Sequence, residues 1–260
     1  MELDVIAIVT LVLFGLLAGF LNAIVGGGGL ISLPALLMVG MPPAAAIATN
    51  KLAGSLGNFT SMMTFLRAGK INTKMLLPII PFVFISSVCG ALTVSAISPS
   101  ILRPLVIVML TVVFLYTVFN KGFGQAKTAV YATGKKKWLG LGLGLMVIIG
   151  FYDGFFGPGT GSFIIFVLLF MGFGFLEASA SSKLLNFTSN IAALLTYLLL
   201  GMVNFTYGLI LGVAMVIGAY TGSKVAMAKG LSFIRLLFIV MTFVLIIKNS
   251  YDYWLEIAKR

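Results

Sequence analysis

Two lysines stand where a chain this apolar has few charges to spare. Thr49-Asn50-Lys51-Leu52 leads into Asn58 and Thr60, and Ser181-Ser182-Lys183-Leu184 leads into Asn186, Thr188, Ser189 and Asn190. A lysine near a bilayer centre costs about 2.5–3.5 kcal/mol on insertion scales, so it is kept there for a reason. Asn58 follows Lys51 by seven residues, and Asn190 follows Lys183 by seven. Seven residues are two helical turns, so each pair shares a helix face. The expected chemistry is a pair of cationic, donor-rich helix starts lining a path for an anion. The competing reading is an interfacial lysine that reaches up to the lipid headgroups. That the cluster occurs twice favours the path.

Glycine supplies the second pattern. Gly19-Phe20-Leu21-Asn22-Ala23-Ile24-Val25 runs into Gly26, Gly27, Gly28 and Gly29. Gly150-Phe151-Tyr152-Asp153-Gly154-Phe155-Phe156 runs into Gly157-Pro158-Gly159-Thr160-Gly161-Ser162. Each glycine inside a helix costs roughly 1 kcal/mol against alanine. Backbone freed in this way is tolerated at membrane depth only against protein or a watery cavity. The expectation is a helix break followed by a half-helix whose positive N-terminus points at an anion. Gly26, Gly27, Gly28, Gly29, Gly157, Gly159 and Thr160 would supply those N–H groups. Tight helix packing through small residues is the alternative. Neither run is a phosphate loop, because no Lys-Ser or Lys-Thr follows and no βα unit precedes. Asp153 alone among the six acids falls inside an expected span, and Asn22 occupies the matching position. Pairing with Lys183, carrying a coupling proton and capping the glycine break are all open to it.

The elements that position these groups follow from composition. Of the 260 residues 60% are hydrophobic and 9% charged, against about 25% charged in an average soluble domain. Mean hydropathy is +1.16. These values exclude a soluble enzyme, a disulfide scaffold and a disordered chain. The apolar stretches are long and lack the alternation of an outer-membrane barrel. The expected fold is an all-α polytopic membrane protein of eight to ten segments. They fall near 5–25, 30–48, 52–68, 75–97 and 101–119, then 138–157, 161–175, 184–203, 205–228 and 232–248. The second segment of each half is short and interrupted, as in broken or re-entrant helices. Residues 1–260 form one transporter domain, with a basic loop at 120–137. Two acids near the start argue for an uncleaved first helix over a signal peptide. The 17 basic residues against 6 acidic ones, net +11, fit cytoplasmic loops facing a bilayer surface rather than a nucleic-acid partner. With no histidine and one cysteine, Cys89, neither a Cys-based metal site nor an internal disulfide is expected, and no cofactor motif appears.

The two halves, about 5–119 and 138–248, repeat. At an offset of 131, Gly19 matches Gly150, Gly26 matches Gly157 and Gly28 matches Gly159. At 132, Lys51 matches Lys183, Asn58 matches Asn190, Gly69 matches Gly201, Asn72 matches Asn204, Gly90 matches Gly222 and Arg103 matches Arg235. Positive charge switches ends between them. Arg67, Lys70 and Lys74 sit at the 67–74 turn, whereas the counterpart from Gly201 to Tyr207 carries none. Lys224, Lys229 and Arg235 gather at the opposite turn of the second half. The positive-inside rule then makes the repeats inverted, with the 67–74 turn and the 120–137 loop in the cytoplasm. Trp138, Tyr251, Tyr253 and Trp254 suit interface belts.

Both motifs, in this order and over nearly the whole chain, resemble the TauE/SafE sulfite-exporter family. The second, from Gly150 to Gly159 with Lys183-Leu184-Leu185-Asn186-Phe187-Thr188-Ser189-Asn190, is similar to its YfcA-type branch. The resemblance implies a bacterial cytoplasmic-membrane transporter and a small anion such as sulfite, a sulfonate or thiosulfate. It implies seven or eight crossings, with 30–48 and 161–175 the segments in question. The substrate-binding candidates are therefore the glycines named above with Thr160, Asn50, Lys51, Asn58, Lys183, Asn186 and Asn190, and Asp153 is the coupling candidate. No nucleotide motif is present, so an ion gradient or the substrate's own gradient would supply the energy. Two rivals remain: an intramembrane enzyme, which would have to work without histidine, and a non-transporting partner subunit, which would have no use for embedded lysines.

Overall fold

The computed structural model describes residues 4–119 and 136–228. Regular structure in them is helical throughout: α1 Val5–Val25, α2 Gly29–Met38, α3 Pro43–Arg67, α4 Thr73–Leu76, α5 Ile80–Ser95, α6 Pro99–Phe119, α7 Lys136–Phe155, α8 Thr160–Phe170, α9 Phe175–Leu199 and α10 Phe205–Ala228. The expected segment 232–248, most of the 120–137 loop, Lys229, Arg235 and the C-terminal aromatics lie outside the described residues.

Length and polarity sort these helices. α1 and α10 are long and apolar enough to cross a membrane. α3 and α9 have 25 residues each, or about 37 Å at the helical rise. They carry the Asn, Ser, Thr and Lys residues, which lowers their hydropathy. α2 and α8 have 10 and 11 residues, about half of what a hydrocarbon core of roughly 30 Å demands. They are the short broken pieces expected in each half.

Two boundaries differ from expectation. The expected segments 30–48 and 52–68 divide instead at Val39–Pro42, where Gly40 adopts a positive φ of 83° and Pro42-Pro43 begins the next helix. A proline pair admits a helix start but no helix interior. Residues 43–48 therefore belong to α3. α9 begins at Phe175 rather than 184, here with no proline but after Gly172 at a φ of 93° and an extended Gly174. Lys51 and Lys183 each lie eight residues inside a long helix, so neither is a helix start. Polar residues that look like helix ends in a hydropathy plot are interior positions turned toward other protein.

The halves pack reciprocally. α1 lies along α10, and α7 lies along α5. A side chain at Gly19 would run into the Met215 carbonyl, and one at Gly218 into that of Leu16; one at Gly154 would meet the Ser87 carbonyl, and one at Gly90 that of Phe151. Lipid offers no hydrophobic drive between helices, so close backbone approach supplies much of the cohesion. α1 and α7 correspond in the repeat, as do α4–α5 and α10, so the first helix of each half packs on the helix of the other half that holds this corresponding position. Six of the seven positive-φ glycines among the described residues fall in corresponding pairs too: Gly26 with Gly157, Gly40 with Gly172, Gly69 with Gly201; Gly159 does not, since its counterpart Gly28 has a φ of −55°. Gly54 lies against Asn190, and the Phe59 ring is 5.5 Å from that of Phe187, so α3 and α9 run in opposite directions where they touch. Large apolar side chains such as Ile6, Ile148, Leu199 and Val213 stand exposed on the outside, as lipid contact requires.

Candidate functional site

The site begins with two helix breaks. α1 ends at Gly26, whose φ of +77° is left-handed and whose N–H returns to Asn22 O at 2.9 Å. Glycine takes that conformation at little cost, which is why it terminates helices. The carbonyls left over are held by the other half: Ser162 Oγ donates to Val25 O at 2.7 Å, and Ser179 Oγ to Ile24 O at 2.8 Å. After α7, Gly157 has a φ of +98°. Tyr152 Oη donates to Pro158 O at 2.6 Å, and Thr160 Oγ1 to Gly157 O at 2.7 Å. The two breaks touch: a side chain at Gly26 would strike the backbone of Gly161, and one at Gly29 would come 2.9 Å from Pro158 Cα. Broken backbone is thus covered by protein, one of the two settings at membrane depth that tolerate it.

The lysines cross between the halves. Lys51 Nζ lies 3.0 Å from Asp153 Oδ1, with both side chains about fully buried. Lys183 Nζ donates to the main-chain oxygen of Asn22. Asn22 and Asp153 are repeat partners, so each lysine reaches the same position on the first helix of the opposite half. The side chains at that position are held by asparagines of their own half. Asn22 Nδ2 donates to Asn58 Oδ1 at 2.9 Å, and Asn190 Nδ2 to Asp153 Oδ2 at 3.1 Å. Asn190 Nδ2 also faces Asn186 O at 2.8 Å and Asn186 Oδ1 at 2.6 Å. The partner of Asp153 is therefore Lys51, not Lys183. Capping is also set aside, because the Asp153 oxygens are directed at Lys51 and Asn190.

A cavity of about 20 Å³ lies at this crossing, room for about one water. Of the residues singled out from the sequence, Gly26, Gly29, Asn50, Lys51, Asn58, Asp153, Gly157, Asn186 and Asn190 line it. Gly27, Gly28, Gly159, Thr160 and Lys183 are not on its wall. The start of α2 reaches the cavity through Gly29, whereas the start of α8 lies behind, against Gly26. Asn22, Ser32, Gly54 and Met215 complete the lining and are not among the residues expected there. Asn22 carries a signal in the sequence, its correspondence with Asp153. Met215 carries none. Asn50 Oδ1 is buried with no hydrogen-bond partner, an unused acceptor beside the cavity. Gly157 has a packing reason as well, since a Cβ there would sit 2.5 Å from Lys51 Nζ.

Comparison with known proteins is consistent in direction. Residues 11–249 match the family described as Sulfite exporter TauE/SafE. The chain is 37% identical over 251 residues to a Haemophilus influenzae protein named "Probable membrane transporter protein", covering 96% of each. It is 37% identical to a Sinorhizobium protein named "Probable membrane transporter protein ORF9", over 91% of this chain and 89% of that one. It is 36% identical to the Escherichia coli K12 "Probable membrane transporter protein YfcA", over 91% of this chain and 87% of the relative. No solved structure matches. A family match over most of the length, with relatives of nearly the same length, means that this chain is a membrane protein of the sulfite exporter TauE/SafE family.

Proposed function

We propose that the protein is a secondary transporter that moves a small anion across the bacterial cytoplasmic membrane, sulfite, a sulfonate, thiosulfate or a related organic anion, and that it is not an enzyme. One observation carries the reading. Among the described residues the buried centre holds two lysines and a single carboxylate, Lys51, Lys183 and Asp153. Asp153 answers Lys51, whereas Lys183 donates to a neutral carbonyl oxygen. Buried charge is costly unless paired, so one further negative charge would complete the balance, and a dianion such as thiosulfate would do so with Asp153 displaced. The α2 N-terminus at Gly29 adds partial positive charge beside Lys51. The cavity is too small for such an anion, so binding requires Asp153 or the glycine breaks to move aside. Asp153, already shared between Lys51 and Asn190, is the group an incoming anion would displace, which makes it the coupling candidate. Opposite directions of α3 and α9 support inverted halves, with the 67–74 turn in the cytoplasm. The test is flux into proteoliposomes of labelled sulfite, thiosulfate, sulfonates and carboxylates, with and without a pH gradient. Saturable uptake of one class supports the reading, and none with any anion overturns it. The rival intramembrane enzyme would lean on Cys89. That residue is exposed on α5 and is absent from the lining of the central cavity, so Cys89→Ser should leave flux intact.

A further inference from the structure

The two ends of the molecule are not in the same state. An opening of about 720 Å³ lies between the turn of residues 69–74 and the start of α9 at Gly174–Glu177. At the repeat offset of 132, the counterpart is the turn of residues 201–206 against residues 42–45. There Met202, Val203, Met41, Ala44 and Ala45 belong to the larger apolar core cluster, as Ile71, Phe173 and Phe175 belong to the smaller one at the first end, so it is the polar contacts that differ. A hydrogen bond fastens the 201–206 end: the Asn204 main-chain N–H donates to Thr49 Oγ1 at 3.0 Å, and Thr49 is fully buried.

The repeat partners of Asn204 and Thr49 are Asn72 and Ser181, and they are unfastened. Ser181 Oγ is buried and has no hydrogen-bond partner. Five buried side-chain atoms share that condition among the described residues: Asn50 Oδ1 and the hydroxyls of Ser55, Ser61, Ser181 and Ser223. Only Ser181 occupies the position whose counterpart hydroxyl accepts from a turn N–H. A buried hydroxyl left unpaired is costly. The bond that would relieve it is the one its counterpart already makes.

We propose that Thr49 with Asn204, and Ser181 with Asn72, are the two latches of an alternating gate, the first closed and the second open in this structure. The inference rests on the transporter reading above and names the residues that would switch its access. Closing the 69–74 end would satisfy Ser181, and opening the 201–206 end would release Thr49. One hydroxyl bond is exchanged for an equivalent one, so the two states differ little in energy, as a bistable element requires. Lys70 and Lys74 at the open end place that opening on the cytoplasmic side.

The test is labelling of Val203→Cys in a Cys89→Ser background, with a membrane-impermeant maleimide applied outside intact cells and no anion added. Thr49→Val removes the closed latch and should speed labelling about fivefold, the worth of roughly one net hydrogen bond. Ser181→Ala removes the latch of the opposite state and should slow labelling by a similar factor. Asn72→Pro deletes the N–H that Ser181 would accept and should slow it too, which keeps the test open if Ser181→Ala fails to insert. Residues that merely pack would loosen the molecule, so Ser181→Ala and Asn72→Pro would then speed labelling or leave it unchanged, and either result overturns the gate. The readout needs no substrate. A gate that behaves as expected beside a failed anion panel would remove the anion reading alone, and the converse would remove the gate alone.

Discussion

Breaking the Lys51–Asp153 pair from either side should cost far more than removing both partners. Lys51→Met deletes the charge and keeps most of the stem. It leaves Asp153, about fully buried, with Asn190 as its amide donor. At 3.0 Å and an effective dielectric constant near 20, the Coulomb term is about 5.5 kcal/mol. Removing one member of a buried pair costs about 3–5 kcal/mol in proteins, because the survivor stays buried and unpaired. Lys51→Met should therefore destabilise by about that amount. Asp153→Asn strands the buried Lys51 charge: an amide oxygen can still accept from Lys51, but Nδ2 then stands against the Asn190 donor, so the loss should be of similar size. The double variant, with no charge left to strand, should lie within about 1–2 kcal/mol of the parent, because uncharged replacements of buried pairs are often near neutral. The coupling energy is then at least about 2 kcal/mol. It is measured by reversible unfolding of all four proteins in mixed micelles. If the single losses add to within about 0.5 kcal/mol of the double loss, the pair contributes nothing as a pair, and the charge argument for the site fails.

Lys51→Met should also weaken anion affinity about tenfold or more in a binding assay, about 1.4 kcal/mol, whereas Lys70→Met in an exposed turn should change it little because solvent and salt screen that charge. Gly157→Ala should abolish flux while the protein still inserts, since its Cβ would strike Lys51 Nζ at 2.5 Å on a φ of +98°; Gly40→Ala, with φ +83° but open space around it, should cost about 1–2 kcal/mol of backbone strain in the same unfolding assay and keep flux. Gly28→Leu should abolish flux as well, because a Cβ there would lie 2.5 Å from Asn22 Cβ and push Asn22 off Asn58. Reporter fusions should read cytoplasmic in the 69–74 turn and external in the 201–204 turn; the same side for both would remove the inverted arrangement.

Residues that are expensive in hydrocarbon are legible in the amino-acid sequence. Lys51, Lys183 and Asp153 stand out because burying charge costs kilocalories, and the glycine runs stand out because they forfeit helix stability. Asn22 is harder to see, since a lone asparagine in an apolar run costs less and has many explanations. Its meaning appears only when Lys183 is found on its carbonyl and Asn58 on its side chain. The starts of α3 and α9 are displaced in a hydropathy profile because hydropathy reports how a segment meets lipid, and these two helices turn their polar faces toward other helices. The partner of Asp153 does not follow from chain order. Lys183 is nearer in sequence, but the crossing of the halves brings Lys51.

That crossing has a bearing on how such a site can arise. If the two halves were separate copies of one short chain, the position now held by Asn22 and Asp153 would carry a single residue type. Two aspartates would silence both ammonium groups, and two asparagines would leave both unanswered. Only when the copies are joined in one polypeptide can they diverge independently and put one acid opposite one lysine alone. Holding both halves in one polypeptide thus permits a centre with a fixed odd charge, which two identical subunits could not keep.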